Sequence, residues 1–354
     1  MLCLFVATGF LTRAFNREKR TRAEQQYLAG EALVAQGRYE AAVDMYTEAL
    51  TLSRGRAPYH DYLEALALAL VEAGRTDEAE TYLLELTGDD PANGIANLML
   101  ARIYYGRDDD ASAMQHYQRA IYGLWDEEPI ESRRRVRLEL VGVLEQQQRH
   151  REMEAELLRL LEEIPDDAEI KKEVARLFLS AQSYDVAQKL FTEVTVDNPR
   201  DAEAFAGLGD AEFELGHYFS ARTAYRQALR YRSDDLQSQT QYDLATDVIS
   251  LDPTIRGLGS AVQLNRSRIL VERALKGLSY CLPEERDLLP EEVRGALGQA
   301  ENLASGKTRQ RQTLENVEQN IELAEQLEKY RTLNCGAAPV PDRALELVLR
   351  KLAQ

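Results

Sequence analysis

The chain has 354 residues, of which 44% are hydrophobic and 29% are charged, and its formal net charge at pH 7 is −17. This composition suits a soluble helical protein that is long enough to bury a sizeable core. The acidic balance argues against a general affinity for nucleic-acid phosphates, because that affinity depends on clustered Lys and Arg side chains.

The first 22 residues combine an apolar run, residues 2–11, with a basic flank that includes Arg13, Arg17 and Lys19. The run is shorter than the roughly 20 apolar residues that a bilayer-spanning helix needs. Its basic residues follow the run, whereas those of a secretory signal precede it. Two interpretations are open: the distal half of a membrane anchor, or an apolar helix end that caps the following helices. The basic flank favours the anchor, with the rest of the chain on the cytoplasmic side.

Residues 23–235 divide into six units in which small and aromatic residues recur at equivalent positions. In chain order the units are residues 23–56, 60–93, 94–127, 134–167, 168–201 and 202–235. The last unit shows the pattern best, with Phe205 and Gly209 on its first helix, Gly216 in the turn and Tyr225 on its second helix. A unit of this size cannot bury its own apolar face, so it predicts neighbours of the same kind.

The last three units start 34 residues apart, and this period resembles that of the tetratricopeptide repeat family. The resemblance covers residues 23–235, about 60% of the chain. It is weakest in residues 134–167, where Met153 replaces a small residue. The resemblance implies an all-α fold, a right-handed superhelical solenoid of helix hairpins with a concave groove.

The register of the repeats is interrupted by residues 57–59 and again by residues 128–133, and the only tryptophan, Trp125, lies at the second interruption. Insertions between repeats usually emerge as loops on one face, and such loops often bind partners. The alternative, which is common for aromatic residues in helical proteins, is that Trp125 packs in the lengthened seam between two repeats.

Residues 236–354 form a third region, predicted to be a capping helix followed by a small helical bundle. The capping helix is Leu236–Leu251, and further helices are predicted over residues 260–281, 290–303, 308–333 and 342–352. The helix over residues 308–333 could instead form a coiled coil with another chain, but its periodic run is short of three to four heptads.

The sequence contains no recognisable catalytic, cofactor-binding or metal-binding motif. The stretch SGKT at residues 305–308 lacks the earlier glycine of a phosphate-binding loop, because Glu301 stands in its place. The four histidines, among them His116, are scattered without a ligand spacing and are expected to be solvated.

The three cysteines, Cys3, Cys281 and Cys335, include no CxxC pair that could bind zinc or act in redox exchange. A disulfide between Cys281 and Cys335 is possible. Free thiols are preferred, because a fold of this size needs no covalent staple.

A basic run, Arg133, Arg134, Arg135 and Arg137, follows an acidic stretch of the chain. Local charge neutralisation is the preferred interpretation, and a basic ligand-binding patch is the alternative.

The resemblance also identifies candidate groove residues, because tetratricopeptide repeat proteins build their inner surface mainly from the first helix of each repeat. These candidates are Tyr27, Glu31, Val34, Leu68, Val71, Leu98, Arg102, Tyr105, Lys172, Arg176, Leu179, Asp210 and Phe213. Apolar, aromatic and charged side chains of both signs suit an extended peptide or a helix laid in a groove. Relatives that bind the acidic tail of heat-shock chaperones use a Lys and Asn clamp. Tyr27, Glu31, Glu64 and Leu68 stand at those positions and argue against that partner.

These features predict a non-enzymatic scaffold that mediates protein–protein interactions, with a protein or peptide partner and without a cofactor or a nucleic-acid partner. The layout suggests a bacterial protein tethered through residues 2–11 to the cytoplasmic face of the membrane. The alternatives are a soluble cytoplasmic protein, an exported or periplasmic repeat protein that supports envelope or secretion machinery, and, as the weakest, an enzyme with a site in the C-terminal region.

Overall fold

The computed structural model describes residues 2–53, 59–125, 128–283, 286–335 and 342–353, with backbone only for residues 2–12 and 287. This part of the chain contains seventeen α-helices, one short 3₁₀ helix (Arg286–Leu288) and no β-strand. The predicted all-α fold of helix hairpins is therefore confirmed.

The helices fall into an N-terminal unit, Met1–Glu163, and a C-terminal unit, Ile164–Gln354. The N-terminal unit contains α1 (Leu2–Val34), α2 (Tyr39–Ser53), α3 (Tyr59–Glu72), α4 (Thr76–Asp89), α5 (Gly94–Tyr105), α6 (Asp110–Ile121), α7 (Pro129–Gln146) and α8 (His150–Leu161). The C-terminal unit contains α9 (Ala168–Ser180), α10 (Tyr184–Asp197), α11 (Ala202–Glu214), α12 (Tyr218–Tyr231), α13 (Leu236–Leu251), α14 (Ser260–Ser279), α15 (Glu291–Ala304), α16 (Leu314–Asn334) and α17 (Arg343–Leu352).

In the N-terminal unit, helices pair in sequence order and close on one another through small residues. A Cβ atom added to Gly30 of α1 would lie 2.5 Å from the Tyr46 ring of α2. Gly209 and Tyr225 stand in the same relation in α11 and α12 of the C-terminal unit, at 2.6 Å. At both places, a small residue of one helix and an aromatic residue of the next lie in direct contact, so the helices approach closely.

The helix boundaries differ from the prediction at two places. Residues 128–133 were expected to form a spacer, but α7 begins at Pro129, because proline at the first helical position loses no hydrogen bond. The helix predicted over residues 308–333 begins only at Leu314, after the N-cap Thr313, whose hydroxyl accepts a hydrogen bond from Asn316 N. In the described part of the chain, no helix combines the length and apolarity that crossing a membrane requires.

A cluster of charged side chains lies inside the N-terminal unit. Arg137 is only 1% exposed, and it donates hydrogen bonds to Glu156 (2.7 Å) and Glu163 (3.0 Å). Arg134 pairs with Glu131 one turn away on α7. These contacts support local charge neutralisation of the basic run and remove Arg137 from any ligand-binding patch.

His116 is buried, which corrects the expectation that it is solvated. Its Nδ1 lies 3.0 Å from Asn97 Oδ1, and its ring stacks on that of Tyr104 at a centroid distance of 5.4 Å. The hydrogen bond explains how the second helix of a repeat accommodates a polar ring in its packed face.

In the C-terminal unit, α13 packs on α12, α14 packs on α16, and α17 packs on α13. The shared core is lined mainly by Leu, Val and Ala side chains of α13 to α17. Lys351 of α17 donates a hydrogen bond of 2.6 Å to the buried Asp252 just after α13. The predicted helical bundle after the repeats is present in this form.

The structure joins Cys281 and Cys335 in a disulfide with a Cα–Cα distance of 5.5 Å, so the preference for free thiols was wrong. Helices α14 and α16 run side by side in the same direction. Asn320 donates to Ser267 Oγ at 2.9 Å near their beginnings, and the Arg331 side chain reaches Gly277 near their ends. This arrangement brings the two cysteines to the same end of the helix pair.

Candidate functional site

A pocket of about 500 Å³ opens in the N-terminal unit between α3, α5 and α7. Its lining residues are Glu64, Ile95, Leu98, Met99, Arg102, Trp125, Ser132 and Arg135. Ile95, Leu98 and Arg102 recur every three to four residues along α5, so one face of that helix points into the pocket. The walls are apolar, and the charged side chains lie at the rim.

Trp125 is held at the pocket by the segment that leads from α6 to α7. Its Nε1 donates to Ala120 O at 2.9 Å, and its ring lies directly against Gly94, the first residue of α5. Two backbone hydrogen bonds fix this segment: Gly94 N donates to Leu124 O (2.9 Å), and Leu124 N donates to Ala92 O (2.6 Å). Trp125 thus packs in the seam between repeats, and the same half-buried ring forms a wall of the pocket.

The rim of the pocket between α5 and α7 is positively charged. Arg102 donates two hydrogen bonds to Glu139, at 2.8 and 2.6 Å, and Tyr117 donates a third at 2.9 Å. Burial raises the pKa of Glu139, but these hydrogen bonds and the charges of Arg102 and Arg135 outweigh it and lower the pKa. Arg135 is exposed, and among the residues that the structure describes it donates only to Ser132 Oγ, at 3.2 Å. The guanidinium group of Arg135 is therefore the rim cation that is most available to a ligand.

The neighbouring surface of α1 and α3 is acidic and aromatic. Tyr27 stacks on Tyr62 with ring centroids 4.8 Å apart. Burial raises the pKa of Tyr27, and the nearby carboxylates of Glu31, Asp61 and Glu64 raise it further. Because Glu64 also lines the pocket, the acidic surface continues to the pocket rim on the side of α3.

The other predicted groove residues of the N-terminal unit lie along the same helices. Leu68, Val71 and Tyr105 are half-buried, and Val34 is exposed. Tyr105 donates a hydrogen bond of 2.7 Å to Gln146, which links α5 to α7. Of the predicted residues, the structure brings Leu98, Arg102 and Trp125 together in the pocket.

Two predicted groove residues of α9 are engaged in ion pairs. Lys172 is only 4% exposed and lies 2.9 Å from Asp201, which caps the start of α11. Its assignment to an accessible groove was therefore wrong, because the neighbouring helix start supplies a buried carboxylate for it. Arg176 is exposed and pairs with Glu203 at 2.9 Å, and Leu179 is half-buried.

Phe213 of α11 is 6% exposed and packs edge-on against Tyr218 at a centroid distance of 5.2 Å. It belongs to the core of the C-terminal unit, because the helices after the last repeat cover it, and its assignment to the groove was wrong. Asp210 accepts a hydrogen bond from Tyr225 at 2.8 Å, and its pKa is raised chiefly by burial.

The sequence prediction missed Ile95, Met99 and Ser132, and it named Arg135 in the basic run without connecting it to the groove residues of α5. Ile95 lies three residues before Leu98 and shares its helix face, so the helical period was sufficient to find it. Ser132 was missed, and Arg135 was not connected to α5, because residues 128–133 were predicted to be a spacer and not the start of α7.

The pocket can bury an apolar side chain and pair charged groups beside it, which is a binding arrangement. Among the residues that the structure describes, no group of three or more His, Cys, Asp and Glu side chains is placed to hold a metal ion.

A tetratricopeptide repeat family model matches residues 64–129 and 174–238, and a second such model matches residues 33–92. Among curated proteins, the chain is similar to the putative cellulose synthase operon protein C of Escherichia coli O157:H7, with 25% identity over 217 residues. That match covers 61% of this chain and 18% of the relative, so the chain spans about a fifth of its length.

The chain is also similar to solved structures. The C-terminal part of a TPR repeat-containing protein from Cytophaga hutchinsonii has 14% identity and a TM-score of 0.43, covering 65% of this chain and 96% of that one. The TPR2AB-domain:pHSP90 complex of yeast Sti1 has 14% identity and a TM-score of 0.31, covering 80% of this chain and 98% of that one.

Proposed function

The chain belongs to the tetratricopeptide repeat family, and from this premise we propose that it is a scaffold whose N-terminal unit binds a protein or peptide segment. The observation that supports this proposal is the pocket between α3, α5 and α7, where an apolar wall meets two arginines and a carboxylate. Its volume of about 500 Å³ falls in the range of ligand-binding clefts.

The apolar wall provides the affinity in this proposal. Ile95, Leu98, Met99 and the Trp125 ring line the pocket, so an apolar side chain of the partner leaves water on insertion. Full burial of one such side chain stabilises a complex by about 1.5–3 kcal/mol. Trp125 is fixed by its own hydrogen bond before the partner arrives, which limits the ordering cost of binding.

The rim charges provide the orientation. Arg135 is available to a carboxylate on one side of the inserted side chain, whereas Glu64 and the acidic surface of α1 and α3 face a basic group on the other side. The partner segment that fits this arrangement has an apolar residue between an acidic and a basic residue. Charges placed in this way fix the direction and register of a segment more than they add affinity.

The proposal is tested by selecting random peptides of about 12 residues on the immobilised full-length chain and measuring their binding by fluorescence anisotropy. We expect Arg135→Glu to weaken the selected peptides about tenfold. The control Arg151→Glu makes the same charge change on the exposed surface of α8, away from the pocket, and should leave binding unchanged. Equal binding by both variants, or selected peptides without an apolar residue, would refute the pocket assignment.

The disulfide between Cys281 and Cys335 favours a second proposal about location, namely that the chain is exported to an oxidising compartment such as the periplasm. Alkylation of intact cells with a mass-shifting maleimide, before and after reduction, tests it. Protection of both cysteines until reduction is expected, and immediate labelling would contradict export.

A membrane tether through residues 2–11 and the absence of enzymatic activity stay predictions. Recovery of the full-length chain entirely in the soluble fraction would exclude the tether. Turnover of generic hydrolase or nucleotide substrates by the purified chain would overturn the non-enzymatic assignment.

A further inference from the structure

The second helix of the last repeat, α12, exposes a positive stripe in a chain whose net charge is −17. Arg222, Arg226 and Arg230 follow one another at intervals of four residues, so they lie on one side of the helix. The helix itself contains no acidic residue. None of the three arginines forms an ion pair with a residue that the structure describes, whereas Arg232 just beyond the helix pairs with Glu203 at 2.9 Å.

Two of these arginines are positioned by aromatic rings. The guanidinium carbon of Arg222 lies 5.6 Å from the centroid of the Phe219 ring, and that of Arg230 lies 6.0 Å from the centroid of the Tyr231 ring. Phe219 and Tyr231 are both exposed residues, at 51% and 41%. Stacking on a ring leaves the N–H edges of a guanidinium group free to donate two parallel hydrogen bonds to a carboxylate.

A groove of about 490 Å³ runs beside the stripe, between α11 and α12. Its apolar walls are Phe205, Leu208, Phe219 and Ala224, and the polar residues Ser220, Thr223 and Gln227 line it as well. The one carboxylate of the groove, Glu212, is buried and already accepts hydrogen bonds, so it does not oppose an acidic ligand with a free charge.

We propose that the α12 surface binds an acidic amphipathic helix of another protein. Its apolar residues would occupy the groove, and carboxylates spaced one turn apart would pair with Arg222, Arg226 and Arg230. The stripe spans about 12 Å, which matches two turns of a partner helix. This surface lies in the C-terminal unit and shares no residue with the pocket at Trp125, so the proposal goes beyond the proposed function and stands apart from it.

The charge pattern favours a protein partner over a nucleic acid. The phosphates of a nucleic acid would be attracted to three arginines but repelled by the net charge of −17 of the whole chain. Binding of phosphates would also leave the neighbouring groove unoccupied. An acidic amphipathic helix uses both the arginines and the groove.

The test uses the full-length chain and a fluorescein-labelled peptide in which Glu recurs every four residues beside a face of Leu. A scrambled peptide of the same composition serves as the second probe. We expect the ordered peptide to bind about tenfold more tightly than the scrambled one. We also expect the triple change Arg222→Glu, Arg226→Glu and Arg230→Glu to abolish this preference, and Phe219→Ala to reduce it.

The matched control changes Arg256, Arg309 and Arg311 to Glu. These residues are exposed, lie in the same unit away from α12, and give the same shift in net charge. We expect this control to retain binding. If it loses as much binding as the α12 variant, binding depends only on the net charge of the chain, and the proposal is wrong. If the glutamate variant of α12 fails to fold by circular dichroism, the corresponding triple glutamine variant replaces it.

The proposal would also be overturned by no binding of the ordered peptide, by equal binding of the scrambled peptide, or by binding of a single-stranded DNA oligonucleotide that depends on the same three arginines. The last outcome would assign the surface to nucleic acid.

Discussion

The contact between Gly94 and Trp125 gives a sharp prediction about the pocket. A Cβ atom at Gly94 would lie 2.5 Å from Trp125 Cε2, 2.6 Å from Trp125 Nε1 and 2.8 Å from Leu124 O. Real side chains do not approach so closely, so Gly94→Ala must push the indole ring away from α5. The move also breaks the hydrogen bond from Trp125 to Ala120 O.

The expected cost follows from these contacts. Overpacking of a closed site costs about 1–3 kcal/mol, and the lost hydrogen bond adds about 1 kcal/mol. Alanine gains up to about 1 kcal/mol over glycine in a helix, and less at the first helical position, where Gly94 stands. The unfolding free energy should therefore fall by about 1–3 kcal/mol, which lowers the melting temperature of a unit of this size by roughly 5 °C.

Intrinsic fluorescence reports the ring directly, because Trp125 is the only tryptophan of the chain. Displacement from the seam should shift its emission to longer wavelength and increase its quenching by acrylamide. Peptides selected on the wild-type chain should lose affinity for the variant, because the same ring forms a wall of the pocket.

Gly142 supplies the control. It lies inside α7, and no atom beyond the adjacent backbone of that helix lies within 4 Å of a Cβ atom built there, so Gly142→Ala should leave the emission unchanged and stabilise the unit by up to about 1 kcal/mol. Unchanged emission and stability in Gly94→Ala would refute the packing of Trp125 against α5 and, with it, the geometry of the pocket.

Three further predictions concern stability. Reduction of the disulfide between Cys281 and Cys335, which are separated by 54 residues, should lower the unfolding free energy in urea by about 4 kcal/mol, and Cys335→Ser should make the chain insensitive to the reductant. Arg137→Met removes one guanidinium group from the buried Glu156, whose remaining ion pair is with the exposed Arg159, and should cost about 3 kcal/mol in the same assay; adding Glu156→Gln should recover part of this loss. Burial lowers the pKa of His116 from its usual 6.5, so the stability that this residue contributes is full above that pH and falls as the pH drops below it. In His116→Gln, the urea midpoint of unfolding should therefore change less between pH 7.5 and pH 5.5 than it does in the wild-type chain.

The repeats could be predicted from the sequence because their contacts are encoded locally. Gly30 must be small because the Tyr46 ring lies against it one helix later, and Gly209 and Tyr225 repeat that relation. When a small residue and an aromatic residue recur at a fixed separation, the period alone identifies the helix hairpin and its packing.

The candidate site could be predicted only in part, because burial depends on what the next element supplies. Lys172 and Arg102 occupy first helices alike, yet Lys172 meets the buried N-cap Asp201 whereas Arg102 stays at the surface beside Glu139. Phe213 is covered by helices that come later in the chain. The register of a repeat predicts the helix face on which a residue lies. It does not predict which residues of other elements pack against that face.

The distribution of charge bears on how such a scaffold selects its partners. The N-terminal unit combines the acidic surface around Tyr27 with the available cation Arg135, whereas α12 of the C-terminal unit is purely basic and adjoins its own groove. These two surfaces differ in charge and shape and share no residue. They therefore suit two different partner segments. Because binding at one surface uses no group of the other, Arg135→Glu should leave binding of the acidic helix intact, and the α12 triple variant should leave the pocket peptides intact. A loss of both activities in either single-surface variant would contradict this independence.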